Sequence, residues 1–559
     1  MEYGHLVAVY DRLDETASTI EKTEIIADTL KNAGELLPVL VLLVRGRLFT
    51  TWENDDLGVS SSLTVQAIAN STGIDDEQIE SWWRETGDLG DVAAKAVETR
   101  SQTILLSDTL DIRRVYDTLR GLTKYEGVGS QDRRVDDITE LLADADPNEA
   151  RYLVRTIVGA MRLGVGEGTI RDAIATAFLD GSTEAVEAVE RAYEVTNDFR
   201  TVSKTARNQG RDGLDDLKVE LFRPVKAMLA QKAENVADAL DATERPLVEY
   251  KYDGMRTKIH VRGDDVRVFT RRLEDVTTQF PDIVAATNKE LSPGDSIVEA
   301  EVVAYDPETS RPIPFQEFSK RIKRKNDIEK LATKFPVTVH VFDLLYHNGD
   351  SLVNRPLSER VDRLEQLINS DGETIRRAEH LQSASVDEVE SFYGEALKSG
   401  QEGLIVKNMN ARYQPGSRVG YMLKVKPTME PLDLVIVRAK WSEGRKSDWL
   451  GRLRLACWDD EREKLREVGR MFSGLTDDEL RELTAKLEPL IQSVDGRTAK
   501  LRPEIVIEVE YEEIQQSTTY GSGYALRFPR FSGFRDDLGP KDADRFERIE
   551  RLYEEQQIR

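Results

Sequence analysis

Lys251-Tyr252-Asp253-Gly254-Met255-Arg256 is the stretch from which this chain is read. Segments 247–250 and 257–261 on either side mix β-branched, aromatic and alternating polar residues, as half-buried strands do. Gly254 suits a turn between them. Read blandly, the hexapeptide is a charged strand end. Read chemically, it places one amine beside a carboxylate and a guanidinium. A lysine amine attacks an electrophile only when neutral, and its ordinary pKa is about 10.4. Cations or burial nearby favour the neutral form. The choice between these readings rests on what surrounds the hexapeptide.

Outward from it, 266–269, 297–305, 337–345 and 403–406 read as strands, with helical segments 359–368 and 386–397 between them. That alternation predicts an α+β layer. Charged and aromatic groups recur at its strand ends: Thr270-Arg271-Arg272-Leu273-Glu274-Asp275-Val276, Val298-Glu299-Ala300-Glu301-Val302-Val303, Val341-Phe342-Asp343-Leu344-Leu345-Tyr346, Glu402-Gly403-Leu404-Ile405-Val406-Lys407, Arg418, and Leu423-Lys424-Val425-Lys426. Each has a plain alternative. Glu299 and Glu301 alternate as a solvated strand face would, Phe342 suits an apolar core, and Lys424 and Lys426 suit a wetted strand. Together and in this order they offer hard oxygen ligands, phosphate-binding cations and one ring able to stack on a base.

The hexapeptide fits K-x-D-G-x-R, and the whole series resembles ATP-dependent DNA ligases of the archaeal and eukaryotic replicative type. The resemblance implies that Lys251 takes AMP from ATP, passes it to the 5′-phosphate of a nick, and is restored when the 3′-hydroxyl seals the strand. It implies nucleotide contacts from Glu249, Arg256, Arg271, Glu301, Phe342, Lys407, Arg418, Lys424 and Lys426. Among these, Glu249 meets the adenine amino group and Phe342 stacks on the base. Glu301 and Glu402 are the expected Mg²⁺ ligands. The family's glycine between the two acids is Ala300 here.

The flanks extend the likeness to nearly the whole chain. Residues 1–215 carry helical stripes such as Leu6, Val9, Tyr10 and Leu13. Gly127-Val128-Gly129-Ser130-Gln131 and the segment from Arg162 to Thr169 resemble the helical DNA-binding domain of these ligases. The second lacks the preceding strand that a dinucleotide-binding loop needs. Residues 216–426 form the expected adenylation domain, entered at Arg223-Pro224-Val225-Lys226. Residues 427–559 read as strands 432–439, 452–458, 465–471 and 505–514, one helix at 477–487 and a charged terminal helix at 544–557, a pattern suited to an OB-fold β-barrel. Ala525-Leu526-Arg527-Phe528-Pro529-Arg530-Phe531, with Arg535-Asp536-Asp537, resembles the family's final motif. That motif usually ends R-x-D-K, but Leu538 takes the lysine's place. The fold class expected is therefore multidomain α and α+β: a helical N-terminal domain, a nucleotidyltransferase core and a C-terminal OB-fold.

Composition narrows the alternatives. The formal net charge of −25 over 559 residues argues against phosphate binding by bulk charge. It suits solubility at very high ionic strength, where the Debye length is only ~3 Å at 1 M salt. One cysteine excludes an internal disulfide and a Cys₄ zinc site, and so disfavours NAD⁺-dependent ligases with their zinc-finger cysteines. The long helical front disfavours GTP-using capping enzymes, and the full set of chemical residues disfavours a catalytically silent DNA-binding protein. Residues 36–44 are the longest apolar run, far short of the ~20 needed to span a bilayer, so a core helix, no membrane and a cytoplasmic location are expected. Gln102-Thr103-Ile104-Leu105-Leu106 stands where archaeal ligases carry a sliding-clamp peptide, with leucines in place of its aromatics. The expected partners are nicked double-stranded DNA and a clamp docked on 102–106, with the protein itself a monomer.

Overall fold

The computed structural model describes all residues except 54, 100–108, 323, 325–326, 369–371, 428, 443–447, 496 and 559, and leaves out the side chains of 557 and 558. The segment 102–106 lies outside the described residues. Contacts divide the chain into two compact units: 1–389 with 405–424, and 390–404 with 425–559.

The first unit opens with a run of helices from Tyr3–Glu15 to Phe199–Asp215. Their starts are written locally. Asp146 and Glu149 form a reciprocal capping box ahead of Pro147–Ile157, and Ser18, Ser60, Asp111 and Ser182 cap other helices. The apolar run read as a core helix becomes Leu37–Leu43, buried at every residue except Pro38. Leu6, Tyr10 and Leu13 join the same core, with Val9 packed at its edge. Gly127 and Gly129 hold φ of +77° and +76°, a left-handed conformation that disfavours a Cβ. They lift the fully exposed Val128 ahead of helix Ser130–Asp144. Helix Glu167–Phe178 follows Gly166, which adds no side-chain cap.

Two sheets follow in the first unit. The strands read from sequence sit in them, most with one- or two-residue extensions and the one read at 297–305 shifted by one residue to Ser296–Ala304. The larger has the order Asp265–Thr270, Met255–Arg262, Ser296–Ala304, Val337–His347, Asp350–Ser351, with Ile375–Arg377 parallel to Val337–His347. Its apolar face packs on Phe280, Ile283 and Phe318. The smaller has the order Leu229–Lys232, Arg418–Val425, Gly403–Asn408, Pro246–Lys251, His380–Leu381. The strand Pro246–Lys251 of one sheet thus hands the chain, through Asp253 and Gly254, to Met255–Arg262 of the other.

The second unit is a β structure. Strands Leu432–Trp441, Leu450–Asp459 and Lys464–Met471 form an antiparallel meander. Leu432–Trp441 also pairs with Val506–Glu510 and Thr498–Leu501. Helix Asp477–Leu487 buries Leu480, Leu483 and Leu487 in the same core. The segment read as one strand at 505–514 is two, Val506–Glu510 and Glu513–Gln516, in different sheets. Tyr511 and Glu512 interrupt it, Tyr511 turning its ring into the core. Among the described residues no helix is long and apolar enough to cross a membrane.

Candidate functional site

Glu249 and Lys251 are two apart on strand Pro246–Lys251, so their side chains share a face. Glu249 is 2% exposed and held from two sides. Arg377 Nη2 donates to its Oε1 at 2.8 Å, and Lys407 Nζ stands 2.5 Å from its Oε2. Burial pushes the Glu249 carboxyl up, but Lys407 and then Arg377 outweigh it and hold the group below its ordinary range. Arg377 also donates through Nη1 to the Val341 carbonyl at 3.0 Å. The next residue is Phe342, half-buried against Tyr252 and Val303. Lys407 Nζ lies 4.4 Å from the Phe342 ring centroid and the Arg256 guanidinium carbon 5.4 Å. Phe342 is thus a half-buried ring with an apolar cluster and two cations beside it.

The turn after Lys251 has a steric reason for its glycine. A Cβ on Gly254 would stand 2.5 Å from the Val302 carbonyl oxygen and 3.0 Å from Glu301 Cγ. Asp253 Oδ2 accepts the Phe315 N–H at 3.1 Å and ties the same turn to a helix start. Beyond it, strand pairing sets Arg256 opposite Glu301 and Lys258 opposite Glu299. Glu299 is fully buried and accepts from Arg256 Nε at 3.1 Å and Lys258 Nζ at 2.9 Å. Burial raises its pKa, yet Arg256 and Lys258 bring it down to about 2. Burial alone would lower the pKa of Arg256, but Glu299 more than offsets this and raises it. Glu301, the residue read as a metal ligand, is half-buried on this strand.

Arg271 follows the end of strand Asp265–Thr270. Its pKa is lowered by burial and then by Arg256, with Glu301 opposing and Arg418 and Arg272 adding to the fall. Arg256, Arg271, Arg418 and Glu301 therefore share one field. Arg418 Nη1 also donates to the Ala230 carbonyl at 2.7 Å. Lys424, half-buried on the same strand as Arg418, pairs in register with Lys232.

In the second unit Lys426 Nζ stands 2.6 Å from Glu402 Oε2 and 3.6 Å from Glu512 Oε2. Burial lowers the pKa of that ammonium, but Glu402 prevails and raises it. Gly403 has φ +141°, and a Cβ there would lie only 2.2 Å from the Val425 carbonyl oxygen, so the Glu402-Gly403 pair needs its glycine. Arg527 pairs with Glu513 at 2.8 Å, and Arg535 with Asp433 at 2.6 Å and Asp537 at 2.9 Å. Leu538 packs on the cluster of Val435, Val506 and Ala543. The residue that departs from the expected lysine thus serves as a wedge of apolar packing.

Two groups went unassigned in the sequence reading. Arg377 fixes Glu249 to the strand of Phe342. Glu299, to which the motif gives no role of its own, is a buried counter-ion. Among the described residues no three His, Cys, Asp or Glu side chains gather as a metal cage. Mg²⁺ is commonly held by one or two carboxylates plus substrate phosphates and water, and needs no such cage.

The comparisons with known proteins agree along the whole length. Residues 227–426 match the family described as "ATP dependent DNA ligase domain", 2–175 match "DNA ligase N terminus", and 446–538 match "ATP dependent DNA ligase C terminal region". A DNA ligase of Thermococcus fumicolans is 43% identical over 99% of this chain and 98% of its own. One of Nanoarchaeum equitans is 42% identical over 100% and 99%. The solved structure named Pmar-Lig_PreS3 superposes with a TM-score of 0.56 over 95% of this chain and 99% of its own, at 17% identity, a likeness of fold. The chain belongs to the ATP-dependent DNA ligase family, whose members use ATP and Mg²⁺ to seal nicks in duplex DNA.

Proposed function

We propose that Lys251 is the nucleophile of this ligase and that the groups around Glu249 and Phe342 receive the adenine. The observation that supports this most is the convergence on one face of the first unit. Glu249 and Lys251 share a strand face, Phe342 is held beside Glu249 through Arg377, and Arg256 lies between Phe342 and the buried Glu299. A carboxylate accepts hydrogen bonds only, so Glu249 reads an amino group and disfavours a carbonyl. Arg256, Arg271, Arg418, Lys407, Lys424 and, in the second unit, Lys426 oppose the phosphate charge. Glu301 and Glu402 are the carboxylates for Mg²⁺, which supplies charge neutralisation at the phosphates. Lys251 Nζ attacks the α-phosphorus, pyrophosphate leaves, and the phosphoramidate gives AMP to the 5′-phosphate of the nick. The 3′-hydroxyl then displaces AMP.

In this reading 1–215 is the DNA-binding domain, 216–426 the adenylation domain and 427–559 the OB-fold domain with its terminal helix. The protein works in the cytoplasm as a monomer. It docks on a sliding clamp through 102–106. Retention on immobilised clamp should fall in Leu105→Ala/Leu106→Ala, and equal retention would rule the docking out. The central test is incubation with α-³²P-labelled ATP, GTP or NAD⁺, then nicked DNA. ATP should label the wild type, nicked DNA should discharge the label, and Lys251→Ala should take none. Label persisting in that variant would sink the assignment.

A further inference from the structure

Lys407 makes two contacts that an adenine would also need. Its ammonium is ion-paired with Glu249 Oε2 at 2.5 Å, at the oxygen to which the exocyclic amino group of the base would donate. The same nitrogen lies 4.4 Å from the centroid of Phe342, at the distance of a cation resting against a ring, where the base would stack. Both groups cannot fill these places together. A lysine has a four-carbon stem with several rotatable bonds, so Nζ can leave while its backbone stays in strand Gly403–Asn408. Arg377 differs. Its guanidinium is fixed at both ends, on Glu249 and on the Val341 carbonyl, and its planar fork has less freedom.

We propose that Lys407 and the adenine base compete for one place on Glu249 and Phe342, so that entry of the base releases Lys407 towards the phosphates while Arg377 stays as the lasting partner of Glu249. This rests on the reading of Glu249 as the base-recognising carboxylate. The consequence is a coupling. The cation needed at the phosphates is freed by a correct base, and a base with a carbonyl in place of the amino group cannot replace the ammonium on a carboxylate. With Lys407 gone, Glu249 and Arg377 still form a closed pair, so the buried carboxylate keeps a counter-ion.

Adenosine separates this from a simple phosphate contact, because it carries the base and no phosphate. Calorimetry with the full-length protein should show adenosine binding roughly tenfold tighter to Lys407→Met than to wild type, the size expected when a charge-assisted contact no longer has to be broken. Lys407→Gln should move the same way. Formation of labelled lysyl-AMP should fall in both variants. A phosphate-only role for Lys407 leaves adenosine affinity unchanged, and a merely structural role weakens it. Either result overturns the proposal, as does adenosine binding too weak to detect in all three proteins. On the wild type itself, adenosine should speed reductive methylation of Lys407 several-fold, and unchanged or slower labelling also overturns it. Wild type that fails to take label from ATP would instead refute the assignment of Lys251, so the two failures are distinct.

Discussion

Glu249 and Glu299 are two buried carboxylates, each between two cations, and they are built differently. Both partners of Glu299 come from the neighbouring strand Met255–Arg262, one of them directly opposite it in the register. The partners of Glu249 come from two other strands, Ile375–Arg377 and Gly403–Asn408. The first cluster is closed by strand pairing alone and has no freedom to open. The second is assembled from distant segments and includes a lysine beside an aromatic wall. In the function proposed, buried charge acts as a framework in one and as a recognition surface in the other, although burial and charge count are alike.

The largest expected effect comes from opening the closed cluster. Glu299→Gln leaves Lys258, 3% exposed, and Arg256 without their counter-ion. Removing one partner of a buried pair costs about 3 kcal/mol or more. The midpoint of denaturant unfolding should fall accordingly. Glu249→Gln should cost less, because Lys407 can turn away from the lost charge. Equal losses in the two variants would dissolve the distinction.

The same distinction governs what could be read in advance. Lys251, Arg256, Glu301 and Phe342 could be proposed from the sequence because local motifs carry them. Glu299 was left without a role, since alternation on a strand looks the same whether the second face meets water or another layer. Its strand is paired on both sides and the face is covered, which only the register reveals. Arg377 gave no signal at all, being an arginine on a three-residue strand 128 residues from its partner. Elsewhere helix Asp477–Leu487 was read to the residue, because the Thr476–Glu479 capping box and the leucine stripe are local. The hairpin Ile491–Asp495 and Thr498–Leu501 went unseen. Most of its first strand faces solvent and lacks an apolar alternation.

A second test acts on the closed cluster through protons. His260 continues the row of Arg256 and Lys258 at two-residue spacing and is buried. Its Nδ1 accepts the Phe222 N–H at 2.9 Å, which requires a neutral ring at that nitrogen. Burial, then Lys258 and Arg267, lowers its pKa from 6.5 to about 3. Below pH 6.5 the unfolded chain takes up a proton that the folded chain refuses. Stability from this group is therefore complete above about pH 6.5 and falls as pH drops towards 3, by at most about 1.4 kcal/mol per pH unit. His260→Asn, which keeps an acceptor for Phe222, should flatten that part of the stability profile. An unchanged slope would remove His260 from the account.

The smallest effect in free energy is the most informative about the open cluster. Glu249 is an acceptor at both oxygens, whereas glutamine offers one acceptor and one donor. Guanine carries a carbonyl where adenine carries an amino group, so the new donor in Glu249→Gln has a partner in GTP that the carboxylate lacked. The ratio of ATP to GTP labelling on Lys251 should fall roughly tenfold, since selectivity at a polar site comes from leaving the wrong partner unpaired. Glu299→Gln, measured where it remains folded, should leave that ratio unchanged, because its partner Lys258 is buried and its partner Arg256 opposes phosphate charge, and neither reads the amino edge of the base. A shift of equal size in the two variants would mean that the field of the whole buried layer, and not the aim of one carboxylate, selects the base.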